Sequence, residues 1–139
     1  MTESPNFENL RSEILTIHKK FIDAHLNKNI EFFVQNMSED YMSVSNGEIR
    51  TQTAEEIRLQ MTNYLNNTVF SEYKNLREPI IEFSKDGSIA WAIFQIKVKG
   101  RRTMDDGSER DLDFICAYSS LFERQDDKWI RLWDVSTFK

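Results

Sequence analysis

The chain has 139 residues, 40% hydrophobic and 29% charged, with a formal net charge of −5 at pH 7. That length suits one domain, expected over 1–139, able to bury about two thirds of its unfolded surface without a disulfide or metal. The acidic balance, with no Lys/Arg cluster beyond Arg101-Arg102, opposes nucleic acid and anionic membrane as partners. The longest uncharged apolar run, Ser88 to Ile96, is under half of the ~20 residues a membrane-spanning helix needs.

No basic start precedes an apolar segment, so no signal peptide is expected. The single Cys116 suits a reducing compartment, and the cytoplasm is the expected location. Residues 1–5 read as a frayed tail. Leu10, Ile14, Ile17, Phe21 and Ala24 then recur at three- and four-residue steps, predicting an amphipathic helix over Asn6 to Asn27. Ile30 to Asn36 predicts a short second helix with Asn29 as a candidate cap. Tyr41 to Ser45 and Glu48 to Arg50 flank Asn46-Gly47, a strong hairpin signal. Thr51 or Thr53 can cap a further helix over Ala54 to Asn66, whose first turn carries Glu55 and Glu56 as the helix dipole favours.

From Ile80 onward three polar turns, Lys85-Asp86-Gly87, Asp105-Asp106-Gly107 and Gln125 to Lys128, separate segments rich in Ile, Val, Phe, Trp and Tyr. These are consecutive antiparallel strands. Turn length sets register. It places Phe83 opposite Ala90, Ile81 opposite Ala92 and Pro79 opposite Phe94, and then Phe94 opposite Tyr118, Ile96 opposite Cys116 and Ala90 opposite Phe122. One face is therefore wholly apolar, and the helices should cover it. A final loop of two or four residues turns Arg131, Trp133 and Val135 to this face; three or five residues turn Asp134 and Ser136 there instead. The other face carries Trp91, Ile93, Gln95, Ser119, Leu121 and Leu132. It is too apolar to be left wet, which predicts a homodimer through it.

Long helix, short helix, small hairpin, third helix and meander resemble the nuclear transport factor 2-like superfamily, with its SnoaL-like and ketosteroid-isomerase-like members. Asp40-Tyr41-Met42-Ser43-Val44-Ser45-Asn46-Gly47 leading into Thr53-Ala54-Glu55-Glu56-Ile57, and Phe122-Glu123-Arg124 through Lys128-Trp129-Ile130, carry the likeness. The resemblance implies an α+β, cystatin-like cone, in which a curved antiparallel sheet wraps the long N-terminal helix, two further helices complete the cover, and a pocket lies between. It also implies frequent dimers, and activities ranging from isomerases, cyclases and dehydratases to inert binding or assembly domains. Fold does not select among these.

For the isomerases the resemblance implies a carboxylate base on the first short strand and a tyrosine hydroxyl on the first helix. A gapless match anchored on Asp40 puts Ser45 and Phe21 there. Ser45 has no usable basicity near neutral pH without a partner and Phe21 has no proton to donate, which argues against isomerase chemistry. Cyclase- and dehydratase-like members pair a His with an Asp inside the cone. That makes His18 and His25 candidates, although by helical position they read as surface residues beside Leu15 and Ile22. The His that many relatives carry near Trp133-Asp134-Val135 is missing. Asp111 and Asp113 read as a solvated strand end. Two His and one Cys lack metal-ligand spacing, and no metal or cofactor is expected.

The groups a pocket would use are Phe21, His25, Tyr41, Tyr118, Ser120, Arg131 and Trp133. Together these features predict a dimeric pocket protein that binds a small apolar or acidic molecule without transforming it, or serves assembly. The alternative is a cyclase-, dehydratase- or isomerase-type enzyme using His25 with Asp134 or Tyr41.

Overall fold

The computed structural model describes residues 4–139. Helix α1 spans Phe7–Asn27, with the Asn6 side chain accepting from the Asn9 backbone N–H at its start and Lys28 in the left-handed conformation (φ 57°) at its end. Of the tail expected over 1–5, residues 1–3 lie outside the described residues, and Pro5 is half-buried in close approach to Gly87. The expected second helix is a single 3₁₀ turn, Ile30–Phe33, without a side-chain cap from Asn29. Strands β1 (Met37–Ser45) and β2 (Glu48–Thr51) form the hairpin around Asn46-Gly47, both at positive φ. Helix α2, Ala54–Asn66, is capped by the Thr53 hydroxyl, which accepts from Glu56 N–H.

A strand not foreseen follows α2 directly. β3, Thr68–Asn75, pairs antiparallel with the C-terminal half of β5 (Ile89–Thr103), while the short β4 (Ile80–Phe83) pairs with its N-terminal half. The β3–β5 contact is close at Gly100, where a Cβ would lie 2.5 Å from the Val69 carbonyl oxygen; the missing side chain is what lets the two backbones approach. β6 (Glu109–Gln125) and β7 (Lys128–Phe138) complete a curved seven-stranded sheet ordered β2-β1-β7-β6-β5-β3, with β4 beside β3 on the same edge of β5. The expectation of a wholly antiparallel sheet is corrected at one place. β7 lies parallel to β1, with Ser43 beside Asp134 and Ser45 beside Ser136.

The first two registers agree with the turn lengths: Phe83 faces Ala90, Phe94 faces Tyr118 and Ile96 faces Cys116. Pro79 falls just outside β4, so its expected pairing with Phe94 does not form. The turn after β4 has four residues, yet it keeps the parity of a two-residue one, because Ser84 N–H donates to the Ile89 carbonyl.

The last hairpin contains the main correction. Asp126 and Asp127, both at positive φ, make a two-residue turn, and Phe122 pairs with Arg131 as expected. The register then shifts by one, so Leu121 faces Trp133 and Ser120 faces Asp134. Leu132 is the extra residue of a β-bulge, and a bulge re-aims every side chain beyond it. Arg131 and Asp134 therefore look to the same side. Trp133 does not join them, and Leu132 does not take the expected place opposite Leu121.

Ala90, Ala92, Phe94, Ile96, Val98, Cys116, Tyr118 and Phe122 form the buried sheet face, against which Leu10 and Ile14 of α1 pack. On the opposite face Met42, Trp133, Leu121 and Trp91 line up across four strands, with Val44, Val135, Ser119 and Ile93 in the next row. Trp91 and Ile93 are 39% and 44% exposed.

Candidate functional site

Between α1, the 3₁₀ turn, α2 and the inner sheet face lies a cavity of ≈ 830 Å³. Aromatic rings make most of its wall, among them Phe21, Phe32, Phe33, Tyr73, Phe94, Phe114 and Tyr118. Its exposed lining residues, Asn46, Glu48, Arg50, Gln60 and Phe138, gather at the β1–β2 hairpin, α2 and the end of β7. That is the mouth. Six of the seven expected ligand-facing residues, Phe21, His25, Tyr41, Tyr118, Ser120 and Arg131, line this space, and so does Asp134. Trp133 is the exception: the bulge turns it to the outer row beside Leu121.

The bulge brings four polar side chains together. Asp134 accepts from the Tyr41 hydroxyl through Oδ2 and from the Ser120 hydroxyl through Oδ1. The Arg131 guanidinium stands 3.3 Å from the same carboxylate, donates from Nη2 to the Phe33 carbonyl at 2.6 Å, and lies 5.0 Å over the Tyr41 ring. Its Nε is within ion-pair reach of Asp134 but off the line of a good hydrogen bond. The Asp134 charge balances Arg131, and with both of its oxygens engaged by protein donors the carboxylate is poorly placed to take a proton from a ligand. Burial raises the Tyr41 phenol far above its ordinary pKa, and the adjacent Asp134 charge adds to it. It stays protonated and donates to Asp134.

The two histidines are buried, 4% exposed for His18 and 6% for His25, so the surface reading of both is corrected. Each sits on the Ile14–Phe21 side of α1, and because the sheet curves around the helix that flank is covered too. His25 Nδ1 stands 2.9 Å from the Phe21 carbonyl, which can only accept, so this nitrogen carries the hydrogen and Nε2 holds the lone pair. The ring stacks on Tyr73 at 4.5 Å between centroids, and burial lowers its pKa to about 4 against the weaker pull of the backbone hydrogen bond. A neutral imidazole of that pKa is a poor base near neutral pH.

His18 lies flat on Phe94 at 3.9 Å. Its Nε2 meets Asn75 Oδ1 at 2.6 Å, and its Nδ1 accepts from the Tyr118 hydroxyl at 2.9 Å. Burial lowers its pKa despite the Asn75 bond. Cys116, also in the wall, has its thiol pushed up to about 11 by burial and is no ready nucleophile. Asp111 and Asp113 sit outside the cavity, paired with Arg101 and Lys97. Among the described residues no cluster of His, Cys, Asp and Glu is arranged to hold a metal ion, and no helix is long and apolar enough to cross a membrane.

A family profile described as the SnoaL-like domain matches residues 14–134, which includes the whole polar cluster and most of the cavity wall. The chain belongs to the SnoaL-like domain family. No curated protein matches its sequence. Among solved structures it is similar to an NTF2-like protein from Cytophaga hutchinsonii, at 20% identity and a TM-score of 0.72 over 91% of this chain and 96% of that one. An NTF2-like protein of unknown function from Prochlorococcus is similar at 19% identity and a TM-score of 0.69, covering 91% of each chain. The association domain of C. elegans CaMKII is similar at 12% identity and a TM-score of 0.66, over 94% of this chain and 96% of that one. At these identities the likeness is one of fold. Within the SnoaL-like fold, Ser45 lines the cavity near its mouth and Phe21 is packed among Phe33, Tyr118 and His25.

Proposed function

We propose that this SnoaL-like chain is a homodimeric pocket protein that binds a small apolar or acidic molecule without transforming it. The observation that carries this reading is the state of Asp134. Its two oxygens accept from Tyr41 and Ser120 and face Arg131, while an open, aromatic-walled space of ≈ 830 Å³ remains beside it. A cavity serving only as packing would be filled by the chain's own side chains, whereas ligand sites are mostly apolar with a few placed polar groups. The exposed apolar rows containing Trp91 and Ile93 support the dimer, as does the likeness to an association domain.

A thermal-shift series with steroids, polyketide-like aromatics and apolar carboxylic acids tests the reading. At least one class raises the melting temperature in a concentration-dependent way; no shift from any class at millimolar excess would favour a pure assembly role. A catalytic reading has one point in its favour, the His25 Nε2 lone pair in a cavity-lining ring. It predicts turnover that disappears in His25→Gln while ligand affinity persists.

A further inference from the structure

The cavity wall contains three arginines, Arg50, Arg102 and Arg131, and two carboxylates, Glu48 and Asp134. Arg50 is clamped to Glu48 at 2.5 Å, and Arg131 faces Asp134 at 3.3 Å. Both histidines are buried with lowered pKa and carry no charge near neutral pH. One positive charge therefore stands over, and it is Arg102. Its guanidinium lies 5.2 Å over the Tyr64 ring and donates to Asn63 Oδ1 at 3.0 Å, so it is held in place by neutral partners. Directly across the β5–β6 ladder from it is Arg110. Like charges opposite each other on one sheet face destabilise the pair. Neither has a carboxylate within 4.0 Å among the described residues. Asp106, in the adjoining turn, acts on Arg110 only through space while its own Oδ1 accepts from Ser108.

We infer that Arg102, with Arg110 beside it, is the anchor for the carboxylate of an apolar acid whose body lies in the cavity. This rests on the pocket reading and sharpens it. The acidic group binds at the α2–β5 side of the opening, and not on Arg131, whose charge Asp134 already balances. An anion on Arg102 offsets the like charges of this cross-strand pair and gains charge-assisted hydrogen bonds in a partly dry setting. The chain as a whole repels anions at −5, so capture is local and selects acids that also carry an apolar body.

The test is calorimetric titration of the full chain with 2-naphthaleneacetate and its uncharged amide in low salt. The acid binds about tenfold tighter than the amide, the size of one charge-assisted hydrogen bond, and the ratio falls as salt is raised. In Arg102→Gln the ratio drops to near one while the amide keeps its affinity, which also shows that the cavity is intact. In Arg110→Gln the ratio falls part of the way. Equal affinities in the wild-type chain, or a ratio that survives Arg102→Gln, would overturn the anchor and leave the pocket reading standing. If neither probe binds, both readings fall for acids of this class. Should Arg102→Gln lose the amide as well, the exposed Arg110 variant and the salt dependence of the wild-type ratio decide.

Discussion

Asp134 holds three partners from three elements, and the cost of removing it follows from what is left behind. Asp134→Ala strands Arg131 as a half-buried cation against the Tyr41 ring, so urea unfolding is expected to show a loss of about 3 kcal/mol. Tyr41→Phe removes one hydroxyl from the same carboxylate and is expected to cost about 1 kcal/mol. His25 gives a pH dependence of definite sign. Its folded pKa of about 4 lies below the ordinary 6.5, so the unfolded chain binds the extra proton first. Stability is full above about pH 6.5 and falls as pH drops toward 4, by about 3 kcal/mol from this residue. His18 acts in the same direction. Denaturant midpoints measured between pH 7 and 4.5 check this, and His25→Gln flattens the slope. Both histidines were legible as core residues. Ile14, His18, Phe21 and His25 step by four, three and four along one stripe of α1, but a search for apolar side chains passes over an imidazole.

At the scale of the element, strand faces were readable where turns alone set register. Asp86-Gly87 and Asp105-Asp106-Gly107 placed Phe94 against Tyr118 and Ile96 against Cys116, and Phe94→Ala is expected to cost about 3 to 5 kcal/mol by chemical denaturation as a buried aromatic truncation. The bulge at Leu132 has no glycine or proline to announce it, so the last strand offered Arg131 or Asp134 but not both. β3 was hidden for a different reason. It follows α2 with only Asn67 between, with no glycine or proline to mark the break, and its partner is the far half of β5 and not a sequence neighbour. The pairing also needs Gly100. Gly100→Ala is expected to push β3 off the edge, raising amide exchange over Thr68–Asn75 while the β5–β6 ladder stays protected.

Across the whole molecule, the bulge divides the labour between the two sheet faces. By turning Trp133 and Val135 outward it adds them to the apolar rows of Met42, Leu121, Trp91 and Ile93. By the same shift it brings Asp134 inward to meet Arg131. Trp91→Glu is expected to reduce association, read by size exclusion with light scattering as a fall toward 16.5 kDa, with a melting temperature close to wild type once the protomer is isolated. An unchanged larger mass would remove the outer face as the contact.

The strand order has a last consequence, for the order of events in synthesis. β7 comes after the six other strands of the sheet in chain order, yet it sits in the middle, joined to β1 on one side and β6 on the other. Until it leaves the ribosome the β1–β2 hairpin has no bond to the rest of the sheet, Tyr41 has no Asp134, and the cavity lacks the wall that both strands supply. The earlier strands must wait with open edges, and a chain stopped before Lys128 loses the strand that joins β1–β2 to the rest of the sheet.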